Sequence, residues 1–326
     1  MMEWALMKPL MPRYWMPCFV KMVSPALNHG MWFVPSSSSG TTLGRSAAVR
    51  CAGGKALNLA RAARTLGAEV DLVGIFAGFT GAWLVSQLEG AGIGVTSVDA
   101  PGETRTCVSV GSVDTGELTE IYPYAEAVPS EVWDRFCTTL LERLTHRPGW
   151  LAISGLTPAG LPRDGLAELI GRARTLGASV AVDTHGPALA LAVDARPELT
   201  KINRDEAAEL LGVGQDTDLR EMAESVAART GAAVVLTDGA DGAVGLDDGG
   251  VWQVPAHPAR GGYPVGSGDS FLGGLLASLD HGDGLVDALR WAGASGTANA
   301  AVPGAAVFTA DAARRIHDQL APVRLD

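Results

Sequence analysis

The sequence predicts an α/β fold with a mostly parallel central sheet flanked by helices, on three observations. Short apolar runs alternate along the chain with stretches of helical periodicity, the pattern of right-handed βαβ units. That alternation breaks once, at residues 104–113 and 117–122, two strand-like runs joined at Asp114-Thr115-Gly116 as a hairpin with no helix between them. A glycine-rich stretch, Gly261-Gly262-Tyr263-Pro264-Val265-Gly266-Ser267-Gly268-Asp269, then runs directly into an apolar helical segment.

Taken in order, residues 18–24 read as a first strand ending at Pro25-Ala26-Leu27-Asn28. Runs 31–34 and 45–51 are short strands on either side of the loop Ser36-Ser37-Ser38-Ser39-Gly40. Ala52-Gly53-Gly54-Lys55 opens a helix on which Ala56, Leu59, Ala60, Ala63 and Leu66 share one face, and Gly67 ends it. Strand 70–76, a helix from about 81 to 88 and strand 93–98 follow. The hairpin and residues 30–51 together are expected to form a small antiparallel lid over the main domain. Alternation resumes with helix 130–144, strand 150–154, helix 163–176 and strand 179–183. Strand 200–203, helices 206–211 and 219–230, and strand 233–237 come next. Short strands 242–246 and 251–254 lead into the glycine-rich stretch, and helices starting at Asp269, Leu285 and Asp311 complete the chain.

Composition narrows the function. Of 326 residues 47% are hydrophobic and 19% charged, a globular profile, and the net charge of −11 disfavours non-specific binding to nucleic acid or to an anionic membrane. Positive contacts to an anionic ligand must then be few and local. The only lysines are Lys8, Lys21, Lys55 and Lys201. Cys18, Cys51, Cys107 and Cys137 form no C-x-x-C pair, so neither a disulfide framework nor a cysteine metal site is expected, and a reducing cytoplasm is the natural setting. Prolines 9, 12 and 17 interrupt any signal-like apolar core, and no run of 18 apolar residues spans a membrane. Residues 1–17 are read as an unstructured extension and 18–326 as one domain.

The common nucleotide and hydrolase motifs are absent: no G-x-x-x-x-G-K-[ST], no G-x-G-x-x-G because Phe271 occupies the third glycine position, no H-E-x-x-H and no G-x-S-x-G. Three other stretches carry chemistry. Glycines 266 and 268 can turn successive N–H groups into one space at a helix N-terminus, an anion site with the carboxylate of Asp269 beside it. The same residues also read as an ordinary helix cap. Gly53-Gly54-Lys55-Ala56-Leu57-Asn58 offers N–H groups, a cation and an amide to an anionic or polyhydroxy ligand, or is a plain turn into a helix. Lys201-Ile202-Asn203-Arg204-Asp205-Glu206 pairs an amide with a carboxylate where a strand meets a helix, suited either to the water shell of Mg2+ or to capping the helix.

The order of these stretches, Gly-Gly-Lys-x-x-Asn, then Lys-x-Asn-x-x-Glu, then Gly-x-Gly-Asp, resembles the PfkB (ribokinase-like) carbohydrate kinases over about residues 20–320. Ser24-Pro25-Ala26-Leu27-Asn28, Thr104-Arg105-Thr106-Cys107-Val108 and Asp183-Thr184-His185-Gly186 are similar to motifs of its 1-phosphofructokinase and tagatose-6-phosphate kinase branch. The resemblance implies a three-layer ribokinase-like fold and ATP- and Mg2+-dependent phosphorylation of a sugar phosphate. It casts Asp269 as general base and the N–H groups of Gly266, Ser267 and Gly268 as the anion hole. Asn28, Gly54, Lys55, Asn58, Arg105 and Ser154 would face the acceptor. Lys201, Asn203, Thr237, Gly239, Gly242 and Asn299 would serve ATP, and Glu206, Asn203 and Asp183 the metal. A homodimer paired through the lid is also implied.

Departures concentrate on the acceptor side. Asn28 replaces an aspartate, Ala56 a glycine, Cys107 an asparagine, Leu156 a serine, and Tyr263-Pro264 an Asn/Asp-Thr pair. A kinase for a nucleoside or unphosphorylated sugar, and a sugar-phosphate-binding protein without turnover, are the alternative expectations.

Overall fold

The structure is a computed structural model and describes residues 28–34, 48–112, 118–121, 123, 126–259 and 261–325. The extension 1–17, the expected first strand 18–24 and the serine-rich loop lie outside the described residues.

β1 (Asn28–Val34) and β2 (Ala48–Ala52) open the described chain, followed by α1 (Lys55–Thr65), β3 (Asp71–Phe76), α2 (Gly78–Gly90) and β4 (Gly94–Asp99). β5 (Thr106–Ser112) and β6 (Leu118–Ile121) form the hairpin. Then come α3 (Ser130–His146), β7 (Trp150–Ser154), α4 (Gly165–Thr175), β8 (Ser179–Asp183), α5 (Pro187–Asp194) and β9 (Leu199–Asn203). α6 (Arg204–Leu211), α7 (Leu219–Thr230) and β10 (Ala233–Thr237) lead through a single turn of 3-10 helix to β11 (Gly242–Asp247) and β12 (Gly250–Pro255). α8 (Ser267–Asp280), α9 (Leu285–Ala300), α10 (Ala310–His317) and β13 (Val323–Leu325) end it.

The main sheet runs β13-β12-β11-β10-β9-β8-β7. β7 to β10 are parallel, and β11, β12 and β13 are added antiparallel at one edge. Among the described residues β3 and β4 pair in parallel with each other and with no other strand. Helices cover the parallel strands, so runs such as Val-Ala-Val in β8 and Val-Val-Leu in β10 are wholly buried.

Two elements go beyond the sequence reading. α5 is almost uniformly apolar and starts on a proline, which at the first helical position loses no hydrogen bond and presets φ. β13 is a three-residue strand paired with the edge of β12. The lid requires a correction. Its order is β2-β1-β5-β6, antiparallel within each hairpin but parallel at the seam, where Asn28 pairs with Thr106 and Val34 with Ser112. β1 and β5 are the outgoing arms of two hairpins laid side by side, so they run the same way.

Packing of α8 sets up everything that follows. A Cβ on Gly273 would lie 2.7 Å from the Leu59 carbonyl of α1, and one on Gly274 would lie 2.6 Å from the Trp291 carbonyl of α9. Adjacent glycines thus let α8 press against both neighbours at backbone distance. That contact brings the N-terminus of α8 beside the N-terminus of α1. No helix among the described residues is long and apolar enough to cross a membrane.

Candidate active site

Ser154, Asp183, Asn203 and Thr237 are the last residues of β7, β8, β9 and β10, four neighbouring strands of the main sheet. Residues 179–183 and 233–237 read as strands in sequence, but only the sheet order aligns their ends. Parallel strands in register bring their final side chains to one rim, where ligands of open α/β sheets bind. In the pairing Ser154 lies opposite Asp183, and Asn203 opposite Thr237. The N-termini of α1 and α8 open onto the same rim.

At its centre is a charge cluster. Asp183 is fully buried, with Lys55 Nζ 3.1 Å from Oδ1 and Lys201 Nζ 3.3 Å from Oδ2. Burial alone would raise the Asp183 pKa, but Lys201 and Lys55 outweigh it and hold the carboxyl below its ordinary range. Burial likewise works against the Lys55 ammonium. Asp183, then Asp269 and Glu206, overcome it, and the Lys55 pKa stays above the usual lysine value. Asp183, expected among the metal ligands, anchors both lysines.

Asp269 is 6% exposed in the first turn of α8, and Asn58 Nδ2 donates to its Oδ2 at 2.7 Å. Burial is the largest influence on its carboxyl and raises the pKa; Lys55 pulls the other way without cancelling it. Asn58 is therefore turned toward the acid, with its Oδ1 accepting from Arg61 Nη2 at 2.8 Å. Arg61 was not anticipated from the sequence. Its one signal there is a guanidinium one turn after Asn58 in a helix otherwise made largely of Ala and Leu.

The turn before α8 is well defined. Ser267 N–H donates to the Pro264 carbonyl at 3.0 Å, and Gly266 has φ 80° and ψ 1°, the third position of a type II turn. This corrects the expected anion hole: the Ser267 N–H closes the turn and is not directed at a ligand. Gly268 and Asp269 N–H groups belong to the open first turn of the helix. A Cβ on Gly268 would lie 3.4 Å from Lys201 Nζ, so that ammonium sits against the turn.

A cavity of about 500 Å³ adjoins it, lined by Thr237, Gly239, Gly242, Ser267, Gly268 and Phe271 among others. Its size suits a nucleotide-sized ligand. Five of those six residues were singled out in the sequence. Asn299, expected beside a nucleotide base, is fully buried behind the turn. Its Nδ2 donates to the Val265 carbonyl at 2.9 Å and to Ser267 Oγ at 3.0 Å, and its Oδ1 accepts from Ala306 N–H at 2.6 Å.

Asn203 and Glu206 form a reciprocal capping box on α6. Asn203 Oδ1 accepts from the Glu206 N–H, and Glu206 Oε2 from the Asn203 N–H, each at 2.8 Å. Among the described residues no group of three His, Cys, Asp or Glu side chains could hold a metal. Glu206 Oε1 lies outside the cap. Ser154 Oγ is buried with no hydrogen-bond partner among the described residues. Arg105, just before β5, donates from Nη1 to the Pro123 carbonyl at 3.1 Å. Gly54 precedes α1 as its N-cap with φ 126°, open to glycine, and the side chain of Asn28 lies outside what the structure describes.

Known proteins match this chain over most of its length. The family model for pfkB family carbohydrate kinases matches residues 34–312. The chain is 34% identical over 246 residues to a 1-phosphofructokinase of Rhodobacter capsulatus, covering 74% of this chain and 77% of that one. It is 28% identical over 256 residues to a tagatose-6-phosphate kinase of Staphylococcus epidermidis, covering 77% and 82%. The crystal structure of phosphofructokinase-2 from Escherichia coli in complex with substrates and products superposes with a TM-score of 0.85 at 27% identity, covering 93% of this chain and 99% of that one. The protein belongs to the pfkB family of carbohydrate kinases, ATP-dependent enzymes, and has their ribokinase-like fold.

Proposed function

We propose that this kinase transfers the γ-phosphoryl group of ATP to a hydroxyl of a sugar phosphate of the fructose 1-phosphate or tagatose 6-phosphate type, with Asp269 as general base. The observation that carries the reading is the placement of Asp269. A buried carboxylate with a raised pKa stands in the first turn of α8, beside open N–H groups and within the field of Lys55. Such an acid can take the proton of an acceptor hydroxyl as that oxygen attacks the γ-phosphorus. The Gly268 and Asp269 N–H groups, the positive end of α8 and Lys201 then face the oxygens on which charge accumulates. Lys55, Arg105 and Ser154 are the acceptor-side contacts, and the cavity at Thr237, Gly239 and Gly242 takes the adenosine end.

Mg2+ fits this rim as an ion carried largely by nucleotide phosphates and water, because Glu206 Oε1 and Asn203 are the only protein donors needed. When bound, it neutralises phosphate charge.

The test is an ADP-release assay over sugar phosphates, free sugars and nucleosides. A sugar phosphate is expected to give the highest kcat/KM, and Asp269→Asn to lower kcat by about 100-fold or more, the usual loss of a general base. A variant within about tenfold of wild type removes the base assignment.

A second reading, an unphosphorylated sugar or a nucleoside as acceptor, draws on Leu156. This side chain is 52% exposed just past the end of β7, in a position where the family carries a hydroxyl. It predicts that Arg105→Ala leaves KM for the best acceptor unchanged.

A further inference from the structure

The geometry points to Arg61 as a positioning residue of the transfer site: through Asn58 it fixes the orientation of Asp269, and through Ala305 it holds the loop behind the anion-binding turn. The inference rests on the assignment of Asp269 as base.

The hydrogen-bond inventory decides how Asn58 must sit. A guanidinium has donors only and an ionised carboxylate acceptors only. The atom of Asn58 facing Arg61 must be Oδ1, and the atom facing Asp269 must be Nδ2, which is the arrangement found at 2.8 and 2.7 Å. A flipped amide would set NH2 against guanidinium and carbonyl against carboxylate, so one orientation survives. Asp269 Oδ2 is thereby pinned, which leaves Oδ1 as the oxygen to meet an acceptor hydroxyl. Remove Arg61 and the amide is held from one side only.

The second arm of Arg61 reaches the loop after α9. Nη2 also donates to the Ala305 carbonyl at 2.9 Å. A Cβ on Gly266 would lie 2.8 Å from Ala305 Cβ, so this loop presses directly on the turn that opens α8. Next to it, Ala306 has φ 54°, a left-handed conformation unfavourable for a residue with a Cβ. Asn299 holds it there through the Ala306 N–H while gripping Val265 and Ser267. Arg61 and Asn299 therefore brace the same loop from α1 and α9. The charged and titratable groups around Arg61 are Cys51 of β2 and Asp269 of α8. Those around Asp269 are Lys55, Asp183 and Lys201, with Arg61 beyond Asn58.

The experiment compares Arg61→Met, which keeps the aliphatic stem, with Arg61→Lys, which keeps a cationic donor. Arg61→Met is expected to lower kcat by about 10- to 100-fold while KM for ATP moves less than about threefold, the signature of a contact that matters in the transition state. Arg61→Lys is expected to recover at least about a third of wild-type kcat. In an Asn58→Ala background Arg61→Met should cost clearly less than it does in the wild-type background, because the arm through Asn58 is already lost and only the Ala305 arm remains. Wild-type kcat in Arg61→Met, no recovery by lysine, or losses that multiply in the double variant would each overturn the role. Asp269→Asn in the same assay separates the two assignments. An active Asp269→Asn removes the base, whereas an inactive one beside a fully active Arg61→Met removes Arg61 alone. Should Arg61→Met fail to fold, Arg61→Lys with and without Asn58→Ala carries the same test.

Discussion

Asp269 sits between opposing influences: burial raises its pKa, whereas Lys55, Lys201 and the Asn58 amide lower it. The net direction is upward, and the sign of the pH effect follows. A base works only when ionised, so activity should fall as pH drops through a pKa lying above the ordinary aspartate value of about 3.9. Asn58→Ala removes a hydrogen bond to the charged form and should move the acid limb of kcat/KM to higher pH than in wild type. An unmoved limb would mean that the limb reports another group, such as a substrate phosphate. At this scale the sequence named most of the participants, because Lys55, Asn58, Lys201 and Asp269 fall in recognisable short motifs. Their partnerships were not legible. Asp183 lies 128 residues from Lys55, and only the folded rim shows one carboxylate shared by two lysines. Arg61 carries no motif of its own in the sequence and becomes visible only through the atoms it touches.

At the scale of the element, the transfer site depends on how α8 begins. A type II turn ends on Gly266 and Ser267, and the helix opens at once, so that Asp269 falls in its first turn. Gly266→Ala meets two obstacles: a left-handed φ of 80°, and a Cβ 2.8 Å from Ala305 Cβ. Each obstacle costs about 1 kcal/mol or more. We expect Gly266→Ala to lower the denaturant midpoint and to cut kcat/KM for ATP by at least about tenfold. In Gly268→Ala the added Cβ meets only Lys201 Nζ at 3.4 Å, so stability should hold better than in Gly266→Ala. Equal midpoints for the two variants would contradict the turn. Local periodicity was enough to read most of the described strands and helices, since β7, β8, β10 and α7 fall on the expected residues. α5 escaped because an apolar segment starting at proline shows no polar face. The parallel seam of the lid escaped because strand direction is set by where each hairpin leaves the body, which no local pattern records.

At the scale of the molecule, the lid strands run β2-β1-β5-β6, and among the described residues β2 and β6 are its edges. One edge is tied to the body: the Arg50 guanidinium of β2 stands 4.2 Å over the Trp83 ring of α2. At the hairpin's base Thr104 Oγ1 accepts from Ala77 N–H at 3.0 Å. β6 is the far edge, and Ile121 at its end is 55% exposed. An edge strand carrying an exposed β-branched residue is a surface that proteins normally cover or guard with charge. Pairing of two lids would cover it and would also steady Arg105, which stands at the start of the same hairpin. The expected solution species is therefore a dimer, with a light-scattering mass twice the 33.7 kDa of the chain. Ile121→Lys should shift the mass toward a single chain and raise KM for the acceptor more than KM for ATP, because Arg105, the proposed acceptor contact, stands at the start of the same hairpin. A wild-type protein that runs as a single chain at assay concentration, with full activity, would rule out the lid as an interface.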